Sequence, residues 1–156
     1  DGRVDGGVVI IDEPADAGPV EVVVGDHPIP TERNVAAAPR IRDSVADAPV
    51  DALVLVALTG GASALLTLPG GDLTVDDIAG VTRELLDAGA SIGELNALRK
   101  HCSAVKGGWL ADAAAPARLV TLAVSDVVGD DPSVIGSGPT APDATTYADA
   151  VATLDR

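Results

Sequence analysis

The chain has 156 residues, about the length of one domain, and a formal net charge of −14 from 24 acidic and 10 basic side chains. Because 47% of the residues are hydrophobic, this acidity does not indicate a disordered tail. Nucleic acids and anionic membrane surfaces bind through basic patches, so the composition argues against both as partners.

The composition also predicts the residue types of the core and the cellular environment of the protein. Only 1% of the residues are aromatic and Met is absent, so the core is expected to consist mainly of Ala and Val. An acidic surface with little Lys favours a halophilic, cytoplasmic protein, with a mesophile of high genomic GC content as the alternative. No apolar run is long enough to span a bilayer, and no signal peptide is visible. The single cysteine, Cys102, excludes an internal disulfide and is expected to be a small buried apolar side chain.

In chain order, the first part of the sequence predicts three strands and one helix. Short apolar runs predict buried strands over residues 6–11 and 20–24. An apolar run that is uncharged after its first residue predicts a strand over residues 51–58, buried on both faces as in a parallel sheet. Apolar residues at helical spacing predict a helix over residues 34–48, and Pro39 inside this pattern leaves a later start open.

The middle of the chain predicts helices. A short helical turn is expected to start within residues 59–66 and to end at the Pro-Gly-Gly sequence at residues 69–71. Thr74 is expected to cap a helix over residues 75–88, and Ser91 a helix that reaches about residue 100, each within a capping box.

The last third predicts a helix over residues 109–115, a strand over residues 119–124 and a closing helix capped by Thr145 or Thr146. The alternation of strands and helices predicts an α/β fold. We expect a three-layer, Rossmann-like arrangement with a mostly parallel sheet, in a single partial domain over residues 1–156 that is truncated at both ends.

The loop after the last predicted strand contains three acids that are candidates for metal binding. Asp126 lies at the carboxyl end of that strand, where open α/β sheets bind their ligands, and Asp130 and Asp131 follow it. Mg²⁺ binds to one or two carboxylates together with substrate phosphates, so these acids predict a magnesium site. The alternative is a solvated connector in which they only form a turn, although the length of the loop argues against it. The small residues predicted to bind phosphate here are Ser137, Gly138 and Thr140.

A second candidate site follows the strand predicted over residues 51–58. Backbone amides at a strand-to-helix turn bind anions, and glycines allow close approach of a ligand. A tight turn without any ligand explains the same pattern equally well. The residues of this turn predicted to bind substrate or phosphate are Thr59, Gly60, Gly61 and Ser63.

The only two lysines in the chain, Lys100 and Lys106, lie in one polar stretch that also contains Arg99. Their retention predicts that they bind a phosphate or a carboxylate, with Arg99 and Lys100 as catalytic candidates and Asn96 and Lys106 as binding residues. Cations at a helix C-terminus are the alternative, which explains Arg99 and Lys100 but not Lys106. His27 and His101 are expected to be structural or to line a polar site, and no zinc site is predicted.

Taken together, these motifs resemble the class II glycerate 2-kinases, the family with a C-terminal MOFRL domain. The resemblance runs in order from about residue 25 to residue 143. His27-Pro-Ile-Pro-Thr-Glu32 is similar to the family's His-Pro-x-Pro-Asp-Glu. The other motifs are Thr59-Gly-Gly-Ala-Ser63-Ala-Leu-Leu66, Gly89-Ala-Ser-Ile-Gly-Glu-Leu-Asn-Ala-Leu-Arg-Lys-His101, Lys106-Gly-Gly108, Ser125-Asp-Val-Val-Gly-Asp-Asp131 and Gly136-Ser-Gly-Pro-Thr140.

The resemblance implies ATP-dependent phosphorylation of D-glycerate at its 2-hydroxyl, giving 2-phosphoglycerate, with a divalent metal such as Mg²⁺. It assigns Asp126 to the metal or to the glycerate hydroxyl, with Asp130 and Asp131 as second choices. It also implies an active site between two domains. The family's upstream Gly-x-Gly-Lys motif and its C-terminal domain are absent here, so this chain is expected to be inactive alone. Whether the protein forms a homo-oligomer stays open.

The sequence departs from the family in three positions and leaves two other functions open. Thr59 and Ala62 replace the first Ser and the third Gly of Ser-Gly-Gly-Gly-Ser, and Thr31 replaces an Asp. A hydroxypyruvate reductase is one alternative, although the sequence contains no Gly-x-Gly-x-x-Gly for a nicotinamide cofactor. A non-catalytic ligand-binding module is the other.

Overall fold

The strands of this computed structural model, which describes residues 4–155, form two parallel pairs. Strand β1 (Gly7–Ile11) pairs with β2 (Val20–Val24) along its whole length. Strand β3 (Leu53–Leu58) pairs with β4 (Arg118–Ala123), with Leu53 opposite Arg118 and Leu58 opposite Ala123. The predicted α/β class and the parallel pairing are confirmed. Within the described residues, however, the strands form two short sheets and not one continuous sheet.

Four of the six α-helices described here begin at a side-chain cap, and α2 and α5 begin at a glycine. They are α1 (Glu32–Ala46), α2 (Ala62–Leu65), α3 (Val75–Asp87), α4 (Ile92–His101), α5 (Trp109–Ala114) and α6 (Tyr147–Leu154), with a 3₁₀ turn at Ile135–Ser137. Helices α3, α4 and α6 each begin with a complete capping box, at Thr74, Ser91 and Thr146 respectively. The predicted caps of α3 and α4 are therefore confirmed, and Thr146 rather than Thr145 caps α6.

Helix α1 begins earlier than the sequence suggested. Thr31 caps it by accepting a hydrogen bond from the Arg33 amide at 3.1 Å, and Asn34 completes the capping box. Pro39 lies in the interior of the helix and does not delay its start. Thr31, which departs from the Asp of the resembling motif, is thus still a competent N-cap, because Thr and Asp both accept this hydrogen bond.

One core joins both strand pairs. Its buried members come from β1, α1, α5 and the connections of the chain, and Val54, Val56 and Leu119 of the second pair pack against them. Ala37 and Ala38 are almost completely buried, which allows α1 to approach its neighbours closely. A second cluster joins α3 and α4 through Leu85, Leu95 and Leu98, and the half-buried Cys102 packs on it. The buried members of the first core, which joins the two strand pairs, are Ile10, Ala37, Ala38, Val45, Leu66, Val105, Leu110 and Ala114.

The second strand pair is covered on one face only. Leu53, Leu55 and Leu122 are each nearly 60% exposed, and Val120 on the same face is 44% exposed. The prediction that the strand over residues 51–58 is buried on both faces is therefore wrong for the described residues. The physical reason is that the core packs on alternate side chains of β3 and β4 only. None of the helices described here is long and apolar enough to cross a membrane.

Candidate active site

A cleft of about 500 Å³ opens beyond the carboxyl ends of β2, β3 and β4. Its walls come from the loop after β2, the turn after β3, the loop after β4, one side of α3 and the segment that follows α4. This is where the fold class predicts a ligand site, because the loops that follow parallel strands meet at one edge. Seven predicted site residues line this cleft: Thr59, Gly60, Gly61, Ser63, Arg99, Lys106 and Asp126.

The turn after β3 brings backbone amides to the cleft. Gly61 has a positive φ of 85°, a conformation that favours glycine, and a Cβ there would lie 3.0 Å from Cδ2 of the exposed His27 ring, which would have to shift. The amides of Gly60 and Gly61 make no hydrogen bond to another described residue, which leaves them available to a ligand. Helix α2 has only four residues, so these two amides, and not a long helix dipole, are what the turn offers an anion.

Ser63 is held from behind by two buried side chains. Its Oγ lies 2.8 Å from Oγ of Ser137, and the Ser137 hydroxyl donates to Oδ1 of Asn96 at 3.3 Å. Ser137 is 1% exposed and Asn96 is 6% exposed. These two predicted binding residues therefore do not line the cleft. They lie behind it, where they fix the orientation of the Ser63 hydroxyl.

The glycines after Lys106 dock the turn that contains Ser137. The amide of Gly107 donates to the Ser137 carbonyl at 3.1 Å, and that of Gly108 donates to the Gly138 carbonyl at 2.8 Å. Gly138 itself has no room for a side chain, since a Cβ would lie 2.8 Å from the Ser133 carbonyl oxygen. Gly138, predicted to bind phosphate, is thus placed as a turn residue that positions Ser137 and Lys106.

Lys106 lines the cleft as a buried cation. The residue is only 4% exposed, and its Nζ donates a hydrogen bond to the Leu66 carbonyl. Burial, and secondarily the nearby Arg99 guanidinium, lowers the pKa of Lys106 to about 7. Burial also lowers the pKa of Arg99, which lines the same cleft. The two predicted cations therefore meet at one end of the cleft.

Lys100, the other catalytic candidate, is placed outside the lining of the cleft. Its ammonium donates to Oδ1 of Asp143 at 3.1 Å, and both side chains are largely buried. Burial alone would raise the pKa of Asp143, but the hydrogen bonds from Thr145 and Lys100 lower it on balance. His101 lies 3.6 Å from the same carboxylate and contacts the ring of Tyr147. The charge of Lys100 is thus already paired within the protein, which favours a structural role over the catalytic role predicted from the sequence.

The three candidate metal ligands are not brought together. Asp126 is exposed to the cleft, whereas Asp130 lines a second hollow of about 570 Å³ that also contains Thr140. Asp131 accepts a hydrogen bond from the Ser133 amide at 2.8 Å, which lowers the pKa of its carboxyl. No group of three or more potential metal-binding side chains occurs among residues 4–155. Of the three acids, Asp126 alone is positioned to hold a metal in the cleft, and a single carboxylate suffices for Mg²⁺ bound chiefly through phosphates and water.

Thr140 is likewise placed away from the cleft. Its hydroxyl lies 2.7 Å from that of Thr121 on β4, so it ties the loop to the strand. This bond explains the residue without a phosphate, in contrast to its predicted role.

Sequence reasoning missed two residues. Arg83 lines the cleft from α3, where it is the only basic residue, and its sequence position alone does not distinguish it from a solvated surface residue. Asn34 is completely buried, and its Oδ1 accepts from the amides of Asp26 at 3.1 Å and Thr31 at 3.0 Å. Its Nδ2 donates to the Ala64 carbonyl at 3.1 Å. Asn34 thereby holds the loop after β2 against α2 and shapes the mouth of the cleft.

Comparisons with known proteins give a consistent result. A "Putative hydroxypyruvate reductase" of Agrobacterium vitis is 50% identical over 140 residues, covering 90% of this chain and 32% of that protein. A D-glycerate 2-kinase of Thermotoga maritima is 39% identical over 153 residues, covering 96% of this chain and 37% of that protein. The crystal structure of a glycerate kinase from Thermotoga maritima superposes with a TM-score of 0.90 at 38% identity, covering 97% of this chain and 37% of that one.

These matches confirm the resemblance drawn from the motifs. The chain spans about a third of the length of these relatives, with the matched part extending over nearly all of its own residues. A family described as a domain of unknown function, DUF4147, matches residues 2–156. The chain therefore belongs to the DUF4147 family.

Proposed function

We propose that the full-length protein containing this chain transfers a phosphoryl group from ATP to the 2-hydroxyl of D-glycerate, producing 2-phosphoglycerate. The observation that carries this proposal is the convergence of Arg99, Lys106 and Asp126 with the amides of Gly60 and Gly61 in one cleft. Phosphoryl transfer depends mainly on positioning and on neutralising phosphate charge, and these groups supply both. The glycerate kinase names of the relatives support the same reaction.

The turn after β3 is proposed to hold the transferred phosphoryl group. The Gly60 and Gly61 amides would donate to its oxygens, and Ser63, fixed from behind by Ser137, would add a hydroxyl. Thr59 lies at the start of the same turn. Preorganised donors of this kind stabilise developing charge without having to reorient during the reaction.

Asp126 is proposed either to hold Mg²⁺ or to accept a hydrogen bond from the glycerate hydroxyl. It makes no hydrogen bond or ion pair with another residue of the described chain, so its carboxylate is free for either role. Mg²⁺ bound there would neutralise phosphate charge. Asp130 and Asp131 stay second choices, since both lie outside the cleft lining.

The remaining parts of the active site are proposed to come from outside these residues. Because the chain spans about a third of its relatives, a C-terminal domain of the MOFRL type would form the opposite wall and complete the nucleotide site. On this basis we expect residues 1–156 alone to have no kinase activity. A homo-oligomer is compatible with this arrangement.

The direct test is to incubate the full-length protein with ATP, Mg²⁺ and D-glycerate and to identify the product by its position of phosphorylation. We expect 2-phosphoglycerate in the wild type and a large loss in Asp126→Asn. Glycerol and L-glycerate serve as substrate controls. A full-length, folded protein that phosphorylates no hydroxy acid would disprove the proposal.

One relative favours a second candidate function. The Agrobacterium vitis protein named as a hydroxypyruvate reductase is 50% identical, which is the basis for testing this activity. The full-length protein would be given hydroxypyruvate with NADH or NADPH, and the loss of nicotinamide absorbance followed. Turnover in this assay together with no kinase activity would replace our proposal. Ligand binding without turnover in either assay would favour a non-catalytic module.

A further inference from the structure

The end of the cleft that contains Arg99 and Lys106 has two cations without a protein counter-charge. Lys106 is buried, and the hydrogen bond of its Nζ goes to the Leu66 carbonyl, which is a neutral acceptor. Arg99 is half-buried and makes no ion pair or hydrogen bond with its side chain to another described residue. This end of the cleft therefore lacks the negative partner that buried charges in proteins normally have.

In the ligand-free cleft, the absence of a negative partner favours the neutral form of Lys106. Burial and the Arg99 guanidinium lower its pKa to about 7, whereas Lys100, six positions earlier in the chain, is buried beside Asp143. At slightly alkaline pH the free cleft therefore contains mostly the neutral amine of Lys106. The amine has a lone pair that can take a proton as soon as a negative group arrives.

The other charged or titratable groups of the cleft do not supply that negative group. Arg83 from α3 adds a further positive charge, and no acid contributes to the lowered pKa of Lys106. Asp126, the cleft's acid on the loop after β4, is not among those contributors. The remaining titratable side chains of the lining are His27, after β2, and Cys102, at the end of α4.

We propose that Arg99 and Lys106 form a subsite for one anionic group of the ligand, a carboxylate or a phosphate, and that Lys106 takes up a proton from solvent when this anion binds. The Nζ–H bond forms as the anion enters, and the proton comes from water or buffer. The inference rests on the proposed function only for the choice of D-glycerate as a probe.

The sign of the pH dependence follows from linkage. A bound anion favours charged Lys106, so its pKa is higher in the complex than in the free protein. Between the two pKa values the complex carries more protons, and affinity falls as pH rises. The dissociation constant of D-glycerate should rise by up to about tenfold for each pH unit above about 7, because one proton is linked to binding.

The experiment is calorimetric titration of the full-length protein with D-glycerate in two buffers of equal pH and different ionisation enthalpy. D-Glycerate is suitable because its carboxylate stays ionised throughout the alkaline range. At about pH 8 we expect uptake close to one proton per ligand. Sulfate, a permanent dianion, tests for a phosphate-type subsite, and glycerol, which lacks a carboxylate, should show no uptake. Proton uptake with D-glycerate alone assigns the subsite to a carboxylate, and uptake with sulfate assigns it to a phosphate.

Two Lys106 variants and one control make the test specific. Lys106→Arg keeps a fixed charge, so anion binding should continue without proton uptake and without the alkaline loss of affinity. Lys106→Gln should bind anions weakly at every pH. His27→Gln should leave proton uptake unchanged. Thermal unfolding of each variant verifies that it is folded.

The result that overturns the inference is distinct from failure of the kinase proposal. Anion binding by the wild type without proton uptake, uptake that persists in Lys106→Arg, or no binding of either anion would each refute the subsite. Proton-linked binding in a protein that phosphorylates nothing would uphold the subsite and refute the kinase reaction.

Discussion

Two groups of charged residues have basic members that lie close together in the sequence, but the groups differ in one respect. In the first, Lys100 and Asp143 satisfy each other inside the protein, with His101 beside them. In the second, Lys106, Arg99 and Asp126 line the cleft without an ion pair to another described residue. The comparison teaches that a retained lysine is a functional candidate when its counter-charge is missing, and a structural one when that charge is present.

The largest expected effect concerns Asp126, the acid of the second group. On the proposed kinase reaction, Asp126→Asn in the full-length protein should lower turnover by about 100- to 1,000-fold, because it removes a charge from the proposed reacting centre. The same change should alter the free energy of unfolding by no more than about 0.5 kcal/mol, since Asp126 is exposed and has no partner among the described residues. Steady-state kinetics and denaturant unfolding measure the two quantities. If Asp126→Asn lowered stability as severely as turnover, Asp126 would be a structural residue, and the two groups would no longer differ in this way.

The two lysines should differ in how much their substitution lowers the free energy of unfolding, with the larger loss at Lys100. Lys100→Met leaves Asp143 partly buried without its ammonium partner and should cost about 3 kcal/mol. At pH 7, Lys106→Met removes a buried cation that has no carboxylate partner, so we expect a change within about 1 kcal/mol at this pH. Urea unfolding of both full-length variants provides the comparison. A Lys106→Met variant as unstable as Lys100→Met would mean that Lys106 is also structural.

Stability should rise with pH because of Lys106. Its folded pKa is about 7, whereas the unfolded value is near the ordinary ~10.4, so the unfolded chain binds more protons between these limits. The free energy of unfolding should therefore increase by about 2 kcal/mol from pH 7 to pH 9 in the ligand-free protein. Urea unfolding across this range should show the rise in the wild type and its loss in Lys106→Met. A rise of the same size in the variant would assign it to another group.

The smallest expected effect lies behind the cleft. Ser137→Ala removes the hydroxyl between Ser63 and Asn96 and should cost about 1 kcal/mol of stability, the usual value for one hydrogen bond. If Ser137 also orients Ser63, kcat should fall while KM for D-glycerate changes little. Ser133→Ala, at a half-buried position of the same loop, is the matched control. An unchanged kcat in Ser137→Ala would restrict Ser137 to a structural role.

Much of the candidate site could be predicted because its residues lie at the ends of recognisable strands. The loop after β4 and the turn after β3 were located from apolar runs alone, and parallel strands then place both loops at one edge of the fold. Arg83 was not found, since a single cation on a helix with a polar surface does not differ from a solvated residue until the helix is packed.

The sequence by itself determined the local structure of this protein. Thr74, Ser91 and Thr146 cap their helices through partners three residues away, so the information for these starts is contained in short segments. The strands and the α/β class follow for the same reason, because periodicity and turn residues are local properties.

Only the tertiary structure decided which polar residues have partners. Lys100 pairs with an acid 43 positions away, and Ser63 meets a hydroxyl 74 positions away. The separation of Asp126 from Asp130 and the burial of Lys106 likewise depend on how distant segments pack. Charge and spacing identified the candidates, but burial and counter-charge, which arise only on folding, separated the residues of the cleft from those that hold the fold together.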